Sequence, residues 1–275
     1  MFMNFLEELS RRAELVKNEG DYFKDNLLHC GVCNEPKQAV KEIPFANNKK
    51  LIVTLQCKCQ REEDEKQRLA LAECEHKRKV EYLIKHGLAY QKYKECTFSK
   101  DDGRNSEITK ICCNYVRHFP EMRDMNNGIM FYGDTDKGKT FYACCIANAL
   151  IQREIPVLVT TLSNLVQNRV KSMTSNAPEI CLDDFRCIVL DDIGTENTTQ
   201  TAFNIIDEIY LSKKLLIVTT NLLPSEFKRA DGIERKRIYD RILEMCGTKI
   251  LVENDKSRLH TGIEKGRLAE SILNS

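Results

Sequence analysis

Hydrophobic and polar positions change their period several times along the chain, and the changes divide it into regions. Residues 2–18 carry apolar side chains at helical spacing with charges between them, which predicts an amphipathic helix that either packs on its own domain or binds a partner. Residues 38–43 and 51–55 are β-prone runs around a turn-prone asparagine pair and predict a hairpin. Residues 60–85 mix both charge signs without Gly or Pro, which predicts a long solvated helix ending at Gly87.

From about residue 90 the pattern alternates between continuous apolar runs and helical segments. Runs of Val, Ile and Leu are typical of a parallel sheet that is buried on both faces. We therefore expect an α/β domain over 89–275, with a five-stranded parallel sheet flanked by helices, after an N-terminal module at 1–60 and a charged helical linker at 61–88. The predicted strands are 128–132, 156–161, 187–191, 215–220 and 249–252, and the predicted helices are 139–153, 162–173, 199–211 and 234–245.

Composition narrows the class of protein without defining a function. The 275 residues make just under two domains of ordinary size, and 42% of them are hydrophobic. The 42 Lys and Arg balance the 41 Asp and Glu, which excludes a polycation or an acidic disordered chain but allows a local basic stripe. The chain has no signal-like opening segment and no run of 18 apolar residues, so we expect a cytoplasmic protein with no membrane partner.

Thirteen cysteines are many for a protein in that compartment, where thiols stay reduced. Two close pairs, Cys30 with Cys33 and Cys57 with Cys59, lie at the two ends of the predicted hairpin. Four thiolates can surround Zn²⁺, and so small a hairpin buries too little surface to fold without a staple. We therefore predict a structural zinc site on these cysteines rather than unbound surface thiols. The second pair departs from the commoner spacing, so other ligands stay open: His29, Cys74 and His76.

Residues 133–140 fit the phosphate-loop pattern G-x-x-x-x-G-K-[ST], between a predicted strand and a predicted helix. Backbone N–H groups in such a loop surround the β-phosphate, the lysine faces the β- and γ-phosphates, and the Thr hydroxyl reaches Mg²⁺. Asp136 stands where many such loops have Gly, and Asp tolerates left-handed backbone better than most residues. The residues expected to bind ATP are Gly133, Asp134, Thr135, Asp136, Lys137, Gly138, Lys139, Thr140 and Phe141.

An apolar strand that ends in Asp191 and Asp192 follows downstream, as in the Walker-B pattern. We expect Asp191 to bind Mg²⁺ together with Thr140, and Asp192 to polarise the attacking water as general base. Alternatively, Asp192 only caps the next loop, or Glu196 is the base. Asn221 ends another strand, where it either orients the water or contacts the γ-phosphate, or is simply a turn residue.

Four segments together resemble the AAA+ ATPases of the DnaC/DnaI helicase-loader group, whose core is similar to that of the transposition helper IstB. The resemblance spans about residues 90–260, and the segments are Gly133–Thr140, Leu190–Glu196, Val218–Asn221 and Arg237–Arg241.

The resemblance implies roles for several polar residues. It places Asn221 at the sensor-1 position, Arg241 as the arginine finger that reaches a neighbouring subunit's ATP, and Arg258 as a sensor-2-like arginine. Arg237 lies one helical turn before Arg241, on the same face. Without the resemblance, both arginines on this helix would be interpreted as a charged surface paired with local acids.

The resemblance also implies an activity and partners. The expected protein is an ATP-dependent loader that delivers a hexameric replicative helicase onto single-stranded DNA during replication initiation and primosome assembly. Its zinc module would dock on the helicase, and its finger would need self-association through the ATP interface. An IstB-like transposition helper and an ATP-responsive adaptor with little hydrolysis are the alternatives. Candidate DNA contacts are Gln167, Asn168, Arg169, Lys171, Lys228 and Arg229, with Phe227 as the nearby aromatic residue.

Overall fold

The computed structural model describes residues 18–43, 49–175, 177–195 and 199–253. The chain divides into two compact units, one up to His76 and one from Lys77 onward. All but the last residue of the predicted helix at 2–18 lies outside the described residues, as do Glu196 and Arg258. Within the described ranges, no helix combines the length and the apolar content needed to cross a bilayer.

The N-terminal unit contains two small antiparallel hairpins followed by a helix. Strand β1 (Tyr22–Lys24) pairs with β2 (Leu27–His29), and β3 (Gln38–Ile43) pairs with β4 (Lys49–Thr54). The second hairpin is the one predicted from the sequence, whereas the first was not predicted. Helix α1 (Lys58–Gly87) follows, and it begins two residues before the predicted helix.

Half of the buried residues described in the N-terminal unit are polar. Among its described residues, Leu28 and two cysteines are the buried apolar side chains, beside three buried polar ones. The Lys37 ammonium lies 2.6 Å from the Asp21 carboxylate, and both side chains are 3% exposed. Burial alone raises the pKa of Asp21, but the ion pair with Lys37 and two backbone N–H bonds outweigh it and hold that pKa below its usual value.

The C-terminal unit is a parallel sheet with helices on both faces. Its strands are β5 (Ile129–Tyr132), β6 (Val157–Thr160), β7 (Cys187–Ile193), β8 (Leu215–Thr220) and β9 (Thr248–Leu251), in the order β6-β7-β8-β5-β9. Its helices after α1 are α2 (Gln91–Lys94), α3 (Ser106–Arg117), α4 (Phe119–Asp124), α5 (Lys139–Ile151), α6 (Leu162–Ser175), α7 (Gln200–Leu211), α8 (Pro224–Lys228) and α9 (Ile233–Met245). The expected α/β class, a five-stranded parallel sheet flanked by helices, is confirmed.

Strands β5 to β8 each supply side chains to two hydrophobic cores, whereas edge strand β9 contributes Ile250 to one of them. In β5, Ile129 and Phe131 face the core that includes α3 and α5, and Met130 faces the core formed with α6, α7 and α9. Successive side chains of a strand point to opposite faces, so a sheet covered on both sides needs apolar residues throughout. This explains the continuous apolar runs of the sequence.

The end of α1 is part of the C-terminal unit. Val80 is buried in the first core, and Leu83 packs against that core. A side chain at Gly87 would bring its Cβ within 2.1 Å of the Val157 carbonyl oxygen, so this close approach requires glycine. The boundary between the units therefore falls inside the segment 61–88 that was predicted to be a linker.

Candidate nucleotide site and four-cysteine cluster

A cleft of about 430 Å³ opens at the carboxyl ends of the parallel strands. Strand β5 lies between β8 and β9, while the chain leaving β5 continues to β6 at the far edge, so the cleft lies at the switch point where α/β sheets bind ligands. It brings together most of the predicted phosphate loop, both acids of β7 and Asn221. The residues lining it are Lys92, Thr135, Asp136, Gly138, Lys139, Thr140, Thr161, Asp191, Asp192, Thr219 and Asn221.

The predicted phosphate loop turns sharply between β5 and α5. Gly133 (φ 128°), Asp136 (φ 61°) and Gly138 (φ 100°) all have positive φ. Gly adopts such angles without steric cost, and Asp is among the residues that tolerate them best, as expected for Asp136. Lys139 Nζ donates to the carbonyl oxygens of Gly133 at 2.8 Å and Asp134 at 2.5 Å, so the ammonium lies over the loop. Burial lowers the pKa of Lys139, although nearby acids favour its charged form.

Asp191 is the buried acceptor at the centre of the cleft, and it is 4% exposed. Its Oδ1 accepts hydrogen bonds from the hydroxyls of Thr140 at 2.6 Å and Thr219 at 2.7 Å. Its Oδ2 accepts one from the Tyr93 hydroxyl at 3.0 Å, and Lys92 Nζ lies 3.8 Å from the same oxygen. A buried carboxylate needs such donors. The hydroxyl of Thr140 beside this carboxylate is a donor set that fits the hard, oxygen-preferring Mg²⁺ ion.

Asp192 has a different environment, because it is exposed and has a φ of 61°. Its backbone N–H donates to Thr219 Oγ1 at 2.8 Å, and its Oδ2 lies 3.4 Å from the Thr195 hydroxyl that donates to it. The carboxylate lines the cleft without being buried. The general-base and loop-capping interpretations of Asp192 therefore both remain predictions.

The two arginines of the predicted finger helix lie on α9 and are not among the residues that line the described cleft. Arg241 forms an ion pair with Asp207 of α7. Its guanidinium carbon is 4.7 Å from the Tyr210 ring centroid and 5.3 Å from that of Phe203, and Arg237 lies 6.0 Å from the latter. Arg241 is therefore paired within the chain, with an acid of α7 rather than with the local acids of its own helix, and the finger role stays a prediction.

Two candidate DNA contacts on α6 are engaged inside the protein. Arg169 pairs with Glu208 at 2.9 Å and also with Glu179. Asn168 accepts a hydrogen bond at 2.8 Å from the backbone N–H of Ile180. Both side chains therefore hold the segment that leads into β7. The remaining polar candidates are exposed, namely Gln167, Lys171, Lys228 and Arg229.

Phe227, the aromatic residue nearest to the candidate DNA contacts, is 0% exposed. Its ring packs 4.3 Å from that of Tyr239. A base cannot stack on a ring that is already buried, so this side chain offers no platform for single-stranded DNA.

The sulfur atoms of Cys30, Cys33, Cys57 and Cys59 lie within 4.8 Å of one another. Zn–S distances of about 2.3 Å in a tetrahedron place sulfur atoms about 3.8 Å apart, so this donor set fits Zn²⁺. The first pair follows β2, and the second pair flanks the start of α1. The alternative ligands are outside the four-cysteine group found among the described residues.

Backbone donors distinguish the four thiols. N–H groups of Glu35 and Cys59 donate to the Cys33 sulfur and lower its pKa to about 6. The contact with Cys33 raises the pKa of Cys59 to about 12, and burial raises that of Cys57. One thiolate therefore forms readily, and a cation would favour ionisation of the others.

Gly31, within the first cysteine pair, allows a close approach of the backbone. An added Cβ there would lie 2.1 Å from the Gly20 carbonyl oxygen. The steric limit therefore explains why the first of the two residues between Cys30 and Cys33 is glycine.

Sequence reasoning missed three polar residues around Asp191. Tyr93 lies 98 residues before Asp191 and belongs to no motif. Lys92 is next to Tyr93 in the sequence and also belongs to no motif. Thr219 lies inside the segment Val218–Asn221 but had no predicted role. The one signal available in the sequence was Thr219, a polar residue near the carboxyl end of the predicted strand 215–220.

The sheet order and this cleft define the C-terminal unit as an α/β domain in which the predicted phosphate loop and both acids of β7 meet at the switch point of a parallel sheet. No protein-family model matches the chain. The chain is 26% identical over 107 residues to the chromosomal replication initiator protein DnaA of Aliarcobacter butzleri (strain RM4018), with 36% of the chain covered. It spans about a quarter of that relative, since the match covers 24% of DnaA.

Two solved structures are similar to part of the chain. One is described as a primosome component from Streptococcus pyogenes serotype M3, with 16% identity, 62% of this chain and 93% of that chain covered, and a TM-score of 0.49. The other is a crystal structure of DnaI, with 19% identity, 62% and 95% covered, and a TM-score of 0.48.

Proposed function

We propose that this chain is an ATP-dependent helicase loader that acts in replication initiation. The observation that carries the ATP-dependent part is the cleft in which Lys139, Thr140 and Asp191 meet at the carboxyl edge of the sheet. The helicase and single-stranded DNA enter through the motif resemblance to DnaC/DnaI loaders. The sequence match to a chromosomal replication initiator supports the same process.

In the proposed reaction, the N–H groups of the phosphate loop and the start of α5 bind the ATP phosphates. The Lys139 ammonium moves from the loop carbonyls to the β- and γ-phosphates. When bound beside Thr140 and Asp191, Mg²⁺ supplies positive charge to the phosphates. Asn221 orients a water that attacks the γ-phosphorus, Asp192 accepts the proton of that water, and the bond to the β–γ bridging oxygen breaks so that ADP and phosphate are the products.

The N-terminal unit supplies helicase docking in this proposal. Its four cysteines bind structural zinc. Phe23 is 63% exposed and Val32, between the first two cysteines, is 80% exposed. In this proposal, these two exposed apolar side chains are the candidate contacts with the helicase.

Nucleotide binding to the purified full chain tests the first half of the proposal. Binding of a fluorescent ATP analogue with Mg²⁺ is expected for the wild type, and Lys139→Ala is expected to weaken it at least about 100-fold, because the phosphates lose a buried cation. Lys110→Ala is the control, since Lys110 is exposed on α3 outside the cleft. Equal affinity of the wild type and Lys139→Ala would contradict the site.

Helicase loading tests the second half. The full chain is mixed with the replicative helicase of its host and single-stranded DNA, and helicase bound to DNA is measured with and without ATP. We expect more helicase on the DNA when the chain and ATP are both present. If the chain neither binds the helicase nor changes its loading, the proposed loader function is wrong.

An ATP-responsive adaptor with little hydrolysis is the second candidate. It is favoured by the internal contacts of Arg241, since a finger held by Asp207 is not free to complete a neighbour's site. Turnover with and without single-stranded DNA separates the two functions. A wild-type rate no higher than that of Lys139→Ala supports the adaptor. The IstB-like alternative lacks a specific supporting observation, and the four-cysteine cluster counts against it.

A further inference from the structure

We propose that Tyr93 is a positioning residue for the Mg²⁺ site, in which its hydroxyl fixes the Asp191 carboxylate so that Oδ1 faces Thr140. The inference rests on the proposed ATP site and extends it to a segment outside the phosphate-loop and Walker-B motifs. It also gives a role to helix α2, which the motifs leave without one.

The contact is buried at both ends. Tyr93 is 0% exposed, and its hydroxyl donates to Oδ2 of Asp191 at 3.0 Å. Oδ1 is thereby left to the hydroxyls of Thr140 and Thr219 at 2.6 and 2.7 Å. With Oδ2 bound to Tyr93, the carboxylate cannot rotate without breaking a buried hydrogen bond, and such a break is costly.

The backbone of α2 is anchored to the helix that follows the phosphate loop. The side-chain amide of Asn148 on α5 lies 2.8 Å from the Tyr93 carbonyl oxygen, 2.8 Å from that of Cys96 and 3.0 Å from that of Cys144. Asn148 is itself buried. These hydrogen bonds hold the backbone at Tyr93 against α5, the helix that also carries Thr140.

A neutral donor suits this position better than a cation. Lys92 Nζ lies 3.8 Å from the same Oδ2 but its side chain is 66% exposed, so that ammonium is free to move away. The Tyr93 hydroxyl orients the carboxylate without cancelling the negative charge that a metal ion needs.

The test measures how much Mg²⁺ the nucleotide site needs. Binding of a fluorescent ATP analogue to the full chain is titrated with Mg²⁺ for the wild type and for Tyr93→Phe, which keeps the buried ring. We expect the half-saturating Mg²⁺ concentration to rise about tenfold, the typical effect of one hydrogen bond to a charged group. Affinity for the analogue without Mg²⁺ is expected to change less than about twofold.

Tyr90→Phe is the matched control. Tyr90 belongs to the same short segment, and its ring packs edge-on against that of Tyr93. Unlike Tyr93, it is 45% exposed. An unchanged Mg²⁺ requirement in Tyr93→Phe overturns the inference while leaving the ATP site intact. Equal loss of affinity with and without Mg²⁺, together with a lower melting temperature, also overturns it, because that is the effect of packing alone.

A second variant covers the case in which Tyr93→Phe does not fold. Asn148→Ala loosens the anchor of α2 without touching Asp191, and it is expected to raise the Mg²⁺ requirement in the same direction. No change in that variant overturns the inference. A wild type that shows no Mg²⁺-dependent binding at all would instead overturn the proposed function, and the inference with it.

Discussion

The two units of the chain obtain their stability from different sources. Every residue of β8 is buried, and the alternating faces of the sheet strands feed two apolar cores. In the N-terminal unit, by contrast, the buried side chains that the structure describes include the Asp21–Lys37 ion pair, two of the four clustered cysteines and Leu28. Apolar burial, at about 25 cal/mol per Å², stabilises the C-terminal unit, whereas the N-terminal unit has little of it.

The difference also separates the two candidate sites. The nucleotide cleft lies at the ends of strands that are packed through apolar side chains on both faces of the sheet. The cysteine cluster joins the turn after β2 to the start of α1, so a metal there would be part of the fold. We therefore expect metal removal to affect the two units unequally.

The largest effect is expected when zinc is removed from the N-terminal unit. Structural zinc contributes about 10 kcal/mol or more to small domains, so chelation or Cys57→Ser should unfold this unit and leave the C-terminal unit folded. Mass spectrometry measures the zinc content, and the positions of protease cleavage show which unit has unfolded. New cleavage sites should appear before His76 alone.

Cys74→Ser is the control for that experiment, because Cys74 is exposed on α1 outside the cluster. It should retain full zinc content and protection. If the metal-free protein resists protease as well as the zinc-loaded protein does, the contrast between the units fails.

The next largest effect concerns the apolar core of the C-terminal unit. Ile146 on α5 is 0% exposed. Ile146→Ala should lower the free energy of unfolding by about 3 kcal/mol through lost burial and a cavity, equally with and without zinc. Thermal melting monitored by circular dichroism measures this, and Leu211→Ala, at a 70% exposed position, should have little effect. A zinc-dependent loss would show that the units do not fold independently.

Much of the C-terminal fold could be predicted because its signals are local. Continuous apolar runs marked all five strands, and 215–220 was predicted with the bounds that β8 has. The β1–β2 hairpin was missed although its turn, Asp25 and Asn26 with φ of 52° and 59°, carries a residue pair that favours left-handed backbone. Helices α3 and α4 were also missed, since the interval before β5 has no motif to draw attention to it.

The candidate site divides in the same way. The phosphate loop, Asp191, Asp192 and Asn221 were located from short motifs, because each motif ends a strand of one sheet. Tyr93 could not be located, since its contact with Asp191 depends on how α2 packs against α5. Arg241 was located from a motif, but its partner was not. A motif position gives no information about contacts such as that with Asp207 within the same chain.

A smaller effect should follow from breaking the buried ion pair of the N-terminal unit. Asp21→Asn leaves the Lys37 ammonium buried without its counter-charge, at a cost of about 2 kcal/mol to this unit. Because the pKa of Asp21 is lower in the folded than in the unfolded state, its contribution is present above the unfolded value of about 3.9 and is lost as the pH falls through the folded value. Hydrogen exchange of amides in 18–43 measures both effects.

The exposed pair of Glu42 and Lys50 offers a control for Asp21→Asn. Its atoms are 3.9 Å apart and its side chains are 62% and 70% exposed, so Glu42→Gln should change stability by less than about 0.5 kcal/mol. Equal effects of the two variants would mean that burial of the Lys37 pair is not what stabilises this unit.

The smallest effect is expected for Arg241, whose ion pair with Asp207 is partly exposed, at 27% and 29%. Arg241→Ala should lower the stability of the C-terminal unit by about 1 kcal/mol, with Lys236→Ala on the exposed side of the same helix as control. Melting temperature and ATP turnover are measured together because they separate two roles. A modest fall in melting temperature with turnover retained means that Arg241 joins α9 to α7 within one chain. Loss of turnover at an unchanged melting temperature means that the residue leaves Asp207 to act on a neighbouring subunit, and the C-terminal unit would then need a second copy to complete its chemistry.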